Sequence, residues 1–479
     1  MFRFDDTSDA PAHRPHYNIT FAVLAMAGVS FALLQSLVAP ALPAIQHDLH
    51  TTATSVAWVL TAYLLSASVA TPILGRLGDM FGKERMLVIA LAALGAGSVL
   101  AALATSVDVL IAARVVQGLG GAIFPLAFGI IRDEFPLDRT PGAIALISAL
   151  LGVGGGAGIV LAGPIVDHLG YHWLFWFPLI PVTVALAAAL LFVPESPVKT
   201  PGRVNITGAA LLSAWLVCLL LATSQGVTWG WTDPRVLGLY AAGVVLLVAW
   251  VRNELGASEP LVDMQMMRLR GVWTVNAAAF LIGAAMFCSF ILIPQFVETP
   301  ASSGFGFGDN VTQAGLVLLP STLMMLVFGP VSARLTRHYG GKLPLALGAA
   351  AAMFSFVFLA AAHSRPLDFY LASAVLGVGI GLAFAAMANL IVEAVPSSQT
   401  GVATGMNTVT RSLGGAVGGQ VAGSVIASSV PASGLPTEHG FTIAFVLAAT
   451  AAALGVVCAL AVPGRAAARS ETVACPQEA

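Results

Sequence analysis

The stretch Gly75-Arg76-Leu77-Gly78-Asp79-Met80-Phe81-Gly82-Lys83-Glu84-Arg85 decides how this chain is read. It interrupts two apolar runs and reads as a short loop between two helices. Gly75 and Gly78 permit close helix approach, and Gly82 permits a tight turn. The basic residues hold the loop in the cytosol. Asp79 sits at a helix end, where it can pair with a cation or face a helix N-terminus.

The stretch recurs. ARLTRHYGGKLPLALG from Ala333 places Leu335 on Leu77, Tyr339 on Phe81 and Gly340 on Gly82, an offset of about 258–260 residues. RVVQGLGGAIFPLAFGII from Arg114 falls on SAVLGVGIGLAFAAMANL from Ser373, and the segment from Glu134 falls on that from Glu393. Identity is low, but glycines and loop positions stay in register. Parallel repeats of this kind build transporters from two halves around a central site.

A bilayer-crossing helix needs about 20 mostly apolar residues. Fourteen stretches qualify: roughly 19–43, 55–74, 86–105, 109–131, 143–165, 172–193, 206–224, 235–251, 272–296, 311–333, 343–362, 368–392, 401–428 and 440–462. Trp173, Trp176 and Trp250 mark span ends, as in an aromatic belt. With a cytosolic N-terminus, alternation puts Arg3, Arg14, Arg76, Lys83, Arg85, Arg132, Arg139, Lys199, Arg203, Arg252, Arg268, Arg270, Arg334, Arg337, Lys342, Arg465 and Arg469 inside. Only Arg235 and Arg365 fall outside. Seventeen against two is a strong positive-inside bias, and an odd error in the span count would scramble it.

Composition agrees. The 479 residues are 58% hydrophobic and 9% charged, with mean hydropathy +0.89 and net charge −2. A soluble domain carries roughly 25% charged residues. Soluble, fibrous, disordered and nucleic-acid-binding classes are poor readings. Cys218, Cys288 and Cys458 lie in apolar runs and suggest neither disulfides nor a metal site. No Gly-rich phosphate loop ending in Lys-Ser/Thr is present.

The fold class is therefore an all-α membrane protein with 14 transmembrane helices. Residues 1–18 form a cytoplasmic tail, 19–198 a six-helix bundle, 199–256 two inserted helices, 257–463 a second six-helix bundle, and 464–479 a cytoplasmic tail.

Three motifs carry a family resemblance. The stretch from Gly75 to Arg85 resembles the inner-loop signature of the major facilitator superfamily, in which Gly75, Asp79, Gly82, Lys83 and Arg85 would form a conformational-switch loop. Arg114-Val-Val-Gln117-Gly118-Leu-Gly120-Gly121 resembles its helix-4 signature. Arg114 lies about 7.5 Å inside the outer end at 1.5 Å per residue. An intramembrane arginine is a functional hypothesis by default, snorkelling to the interface being the alternative. In relatives this arginine is thought to influence a proton-titrating carboxylate. The run from Gly152 through Gly154, Gly155, Gly156 and Gly158 to Gly163-Pro164 resembles the helix-5 signature of antiporters, although Asp167-His168 replaces the usual paired glycines. Its missing side chains would let helix 5 lie against its counterpart in the other half. With fourteen spans, the chain resembles the fourteen-helix drug–proton antiporter family. That resemblance implies a monomeric cell-membrane exporter with both termini cytoplasmic. It would exchange small amphiphilic drugs or antibiotics for protons by alternating access, with the proton gradient as energy source and no cofactor or metal.

The expected titrating acid is thinly represented. Many relatives carry an Asp in helix 1, where this chain has Gln35. Asp133 and Glu134 read as structural, solvated helix ends. Asp167, Glu298 and Asp309, at span ends, can line an outward vestibule and join Arg114 as proton-coupling candidates. Arg411 is the deepest charge and can pair with an acid or bind an anionic group. Gln35, Gln117, Gln295, Asn407 and Arg411 are the substrate-cavity candidates. A metabolite uniporter or proton symporter of the same superfamily remains open, as does a polytopic membrane enzyme or small-molecule receptor. The enzyme would need clustered catalytic residues, and the nine His are scattered.

Overall fold

A computed structural model describes residues 17–136, 138–196, 199, 204–430 and 435–464. Arg3, Arg14, Arg203, Arg465 and Arg469, and with them almost all of both expected tails, lie outside the described residues.

The helices are α1 (Tyr17–Ser36), α2 (Val38–Asp48), α3 (Ala53–Phe81), α4 (Lys83–Ala102), α5 (Val107–Gly118), α6 (Ile123–Glu134), α7 (Thr140–Leu169), α8 (Trp173–Phe192), α9 (Ile206–Trp229) and α10 (Pro234–Gly256). They continue as α11 (Met264–Arg268), α12 (Arg270–Glu298), α13 (Val311–Tyr339), α14 (Lys342–Ala361), α15 (Pro366–Ala394), α16 (Thr400–Ser428) and α17 (Glu438–Ala461). Among the described residues there is no strand.

Every expected span meets a helix or a broken helix pair. The first is broken at Leu37 between α1 and α2. Pro40 has no N–H to offer the Ser36 carbonyl, and its ring crowds that carbonyl. The fourth is α5 and α6 joined by a 3₁₀ turn over Leu119–Ala122, where three glycines cluster ahead of Pro125. Among the described residues thirteen helices are long and apolar enough to cross a membrane. The exception, α16, has 29 residues but is interrupted by Thr404, Asn407, Thr408, Thr410 and Arg411. It packs between α3, α12 and α17, so protein rather than lipid receives much of its surface.

Two apolar cores form. One is built mainly from residues 23–193, the other from 212–462. Exposed apolar residues such as Ile180, Leu191 and Val245 cover the outside, as a lipid-facing surface requires. The repeat is visible in the backbone: Gly82 (φ +122°) and Gly340 (φ +85°) end α3 and α13, the second membrane helix of each half. Both φ values lie where glycine is favoured. The insert is asymmetric. α9 touches both halves, through Thr61 Oγ1–Ser224 Oγ (3.1 Å) on α3 and through its packing on α16, while α10 packs on α9 and α11.

The opening segment is not a loop. α3 continues to Phe81 and α4 begins at Lys83, so Gly82 alone separates two helices. Gly75, Gly78 and Asp79 are therefore helical, and Lys83 heads a helix.

Candidate functional site

The two halves meet along two helix pairs, α3 with α16 and α7 with α13. The expected packing of helix 5 on its own counterpart is corrected here. By the repeat that counterpart is α16, yet α7 lies on α13. The pseudo-symmetry exchanges α3 with α13 and α7 with α16, so the pair α7·α13 maps onto α16·α3.

Small residues bring the chains together in both seams. A Cβ at Gly75 would stand 2.6 Å from the Gly401 carbonyl oxygen, and one at Gly405 3.1 Å from Pro72 Cα. In the other seam Gly152 faces Met325, Gly156 faces Thr322 and Gly163 faces Thr312, while Pro164 lies inside α7 without breaking it. Gly154 and Gly158 point instead at α1. The glycine run of α7 thus serves two interfaces, one within its half and one across to the other.

At the end where α3 meets the start of α16, polar groups close the seam. Asp79 is fully buried. Its Oδ1 accepts from the Gly401 N–H and its Oδ2 from the Val402 N–H, both at 3.1 Å. These are first-turn amides with no intrahelical acceptor, at the positive end of the α16 dipole. Arg132 crosses from α6, donating to Thr400 Oγ1 (2.7 Å) and to the Val395 carbonyl (2.8 Å).

Lys83 does not face the cytosol. It is fully buried, with Nζ 2.5 Å from Asp133 Oδ2 and 3.8 Å from Asp79 Oδ1. Its stem runs over Gly129, where a Cβ would meet Lys83 Cδ at 2.7 Å. Asp133 is correspondingly not a solvated helix end: its side chain is 1% exposed and also accepts from Ser196 Oγ. A buried lysine needs an anion, and two carboxylates from different helices supply it. Arg85 stays exposed and pairs with Glu195 at 3.3 Å, next to Gly82.

Arg114 is fully buried, so it does not snorkel. Nε donates to the Val59 carbonyl (3.1 Å), and NH1 donates to the Leu34 carbonyl (3.3 Å) and to Gln117 Oε1 (2.8 Å). The guanidinium lies 4.0 Å over the Tyr63 ring. Gln117 in turn donates to Ser98 Oγ. Among the described residues no carboxylate pairs with Arg114. The group ties α5 to α1, α3 and α4.

Between the halves lies a cavity of about 20 Å³. Phe124 and Phe128 of α6, Ser148 and Leu151 of α7, Phe384 and Ala388 of α15, and Thr404, Asn407, Thr408 and Arg411 of α16 line it. Of the five cavity residues expected from sequence, Asn407 and Arg411 are here. Gln117 is spent on the Arg114 network, and Gln35 and Gln295 lie outside this cavity toward the opposite end. Asn407 donates to Asn276 Oδ1 at 2.9 Å. The three phenylalanines escaped the sequence reading; the signal was Phe124 and Phe128 four residues apart, on one helix face. Glu254 escaped it too: it is 3% exposed and accepts from the Val262 N–H, fastening the end of α10.

The proton-coupling candidates other than Arg114 gather at the end opposite Asp79. Asp167 and Glu298 are exposed and Asp309 is half-buried. They stand at the ends of α7 and α12 and before α13. Among the described residues no group of three or more His, Cys, Asp or Glu is placed to hold a metal.

Comparison with known proteins agrees with this architecture. The chain is 31% identical over 429 residues to the tetracenomycin C resistance and export protein of Streptomyces glaucescens, covering 86% of this chain and 78% of that one. It is 33% identical over 394 residues to the cephamycin export protein CmcT of Amycolatopsis lactamdurans, covering 79% of each. Among solved structures, the human organic anion transporter MFSD10 superposes with a TM-score of 0.67 at 16% identity, over 93% of this chain and all of that one. The proton:xylose symporter XylE gives a TM-score of 0.66 at 14% identity, over 93% and 96%. The family model of the Major Facilitator Superfamily matches residues 24–419. Two repeated helical halves, joined at Asp79 and Gly401 and enclosing a cavity, are thus those of a multi-pass membrane transporter, and the chain belongs to the Major Facilitator Superfamily.

Proposed function

We propose that this transporter exports small amphiphilic molecules, antibiotics among them, in exchange for protons by alternating access. The observation that carries the reading is the seam at Asp79. The carboxylate engages two backbone amides of the other half, and Arg132 engages a hydroxyl and a carbonyl there. Such hydrogen bonds can be exchanged for water when the seam opens, whereas an interlocked apolar core cannot. The central cavity then communicates with one side or the other. Two relatives named as antibiotic export proteins support the direction and the substrate class.

The Asp79 end is assigned to the cytosol of a cell membrane, with both termini on that side and 199–256 as an insert between bundles. Asp167, Glu298 and Asp309 are then among the carboxylates of the outer end and are the candidates for coupling to protons. The chain works as a monomer with lipid, substrate and protons as its partners, and without a cofactor.

The test is flux through the purified full-length protein in proteoliposomes, with an antibiotic panel inside and a proton gradient imposed. Efflux that rises with the gradient, with proton entry reported by a pH dye, is expected. Equal flux with the gradient collapsed would make the protein a uniporter. Accumulation rather than expulsion would make it a symporter.

A further inference from the structure

We infer that Arg411 is the anchor for a negatively charged group on the transported molecule, so that the central cavity selects amphiphilic anions with an aromatic body. The inference rests on the exporter reading above and names its substrate class.

Arg411 lies eleven residues beyond Thr400, the first residue of α16. At 1.5 Å per residue that is about 16 Å along the axis, near the middle of a bilayer core about 30 Å thick. A cation there is costly and calls for a partner. Among the described residues Arg114 and Arg411 are such arginines, and their surroundings differ. Arg114 has two carbonyls, an amide oxygen and an aromatic ring around it. The described residues give the Arg411 guanidinium no carboxylate and no hydrogen-bond acceptor. It has only the Phe384 ring, 4.5 Å from Cζ. Its side chain lines the cavity, which no Asp or Glu lines among the described residues.

The base of the side chain is held in place. Gly283 of α12 faces the Arg411 carbonyl, and a Cβ there would also meet Arg411 Cγ at 3.0 Å, so the two backbones are in contact. Phe384 covers one guanidinium face and leaves the N–H edges for a ligand. A carboxylate or phenolate matches that planar fork in charge and geometry. Phe124 and Phe128 offer ring surfaces to an aromatic body. A cationic molecule in the same place would face an unscreened like charge. With room for about one water at 20 Å³, the cavity admits a ligand only when the halves part.

The test uses three fluorescent probes of one shape: 9-anthracenecarboxylate, 9-anthracenemethanol and 9-(aminomethyl)anthracene. Binding to the purified full-length protein in nanodiscs is followed by fluorescence polarisation, for wild type, Arg411→Lys and Arg411→Gln. The acid is expected to bind about tenfold or more tighter than the amine, with Arg411→Gln erasing that preference and changing the alcohol less than about threefold. Arg411→Lys should keep the sign of the preference. Absence of acid binding, equal or tighter amine binding by wild type, or an acid affinity unmoved in Arg411→Gln overturns the inference. So does equal loss of all three probes in both variants, which marks a structural role. Proton-driven flux of all three probes in proteoliposomes separates the two readings. Selective binding without flux sinks the exporter reading and leaves the anion site standing. Flux without charge preference does the reverse.

Discussion

The carboxylate of Asp79 caps the first turn of α16 through Gly401, a residue 322 positions away in the other half of the molecule. Gly75, one turn earlier on α3, is in backbone contact with the same Gly401. A single crossing point therefore combines close packing, a helix dipole and a buried charge, and that charge is balanced by Lys83 from within its own half.

Asp79→Asn tests this crossing. The amide keeps one acceptor and loses the charge, which removes about 1–2 kcal/mol of interaction with the helix terminus. The seam should open more often, by about tenfold in population. Maleimide labelling of Thr404→Cys, in a background without the four native cysteines, should speed up accordingly. An unchanged labelling rate would show that the capping bond does not hold the seam.

Lys83→Met removes the cation shared by two buried carboxylates. Breaking a buried pair by deleting one partner costs about 3–5 kcal/mol. A fall in melting temperature and in yield of folded protein is expected, partly relieved by adding Asp133→Asn. If the double variant is no better than Lys83→Met alone, the two residues are not coupled.

Gly156→Val places two methyl groups where Thr322 of α13 already sits. Overpacking of this kind costs about 1–3 kcal/mol, and here it also wedges the halves apart. Transport should fall sharply, whereas Gly142→Ala, with nothing within 4 Å of its Cβ position, should behave as wild type. Equal activity in both variants would dismiss close packing of α7 on α13 as a requirement.

Arg114→Lys probes a network of carbonyl, amide and ring partners that only a guanidinium can span. The variant should lose thermal stability and transport rate together. Its pH profile should keep its shape, since no carboxylate pairs with Arg114 among the described residues. A shifted profile with normal stability would instead give Arg114 a part in proton coupling.

Much of the architecture could be read from local properties. Hydropathy adds residue by residue, so long apolar helices can be located without knowing which of them touch; thirteen of the fourteen expected spans meet that measure among the described residues. The repeat followed from glycines in register, and Gly82 and Gly340 share a backbone conformation that favours glycine. The motif pointed Asp79 toward a helix end for a sound electrostatic reason. The break at Leu37 was written in Pro40, but the proline's effect is read only once the helix is seen to stop.

Pairing across space was out of reach. Lys83 looks like any loop lysine until α6 brings Asp133 within 2.5 Å of it. α7 rests on α13 rather than on its own repeat image, because the symmetry acts on helix pairs and not on single helices. Arg114 and Arg411 are alike as letters in apolar runs, yet one is surrounded by acceptors and the other opens into a cavity. The chain's own chemistry dictated that it is a bundle of long apolar helices and where along the chain they fall. Which buried charges found partners was decided by the tertiary structure, since Coulomb and hydrogen-bond energies depend on distances between helices that the order of residues does not contain.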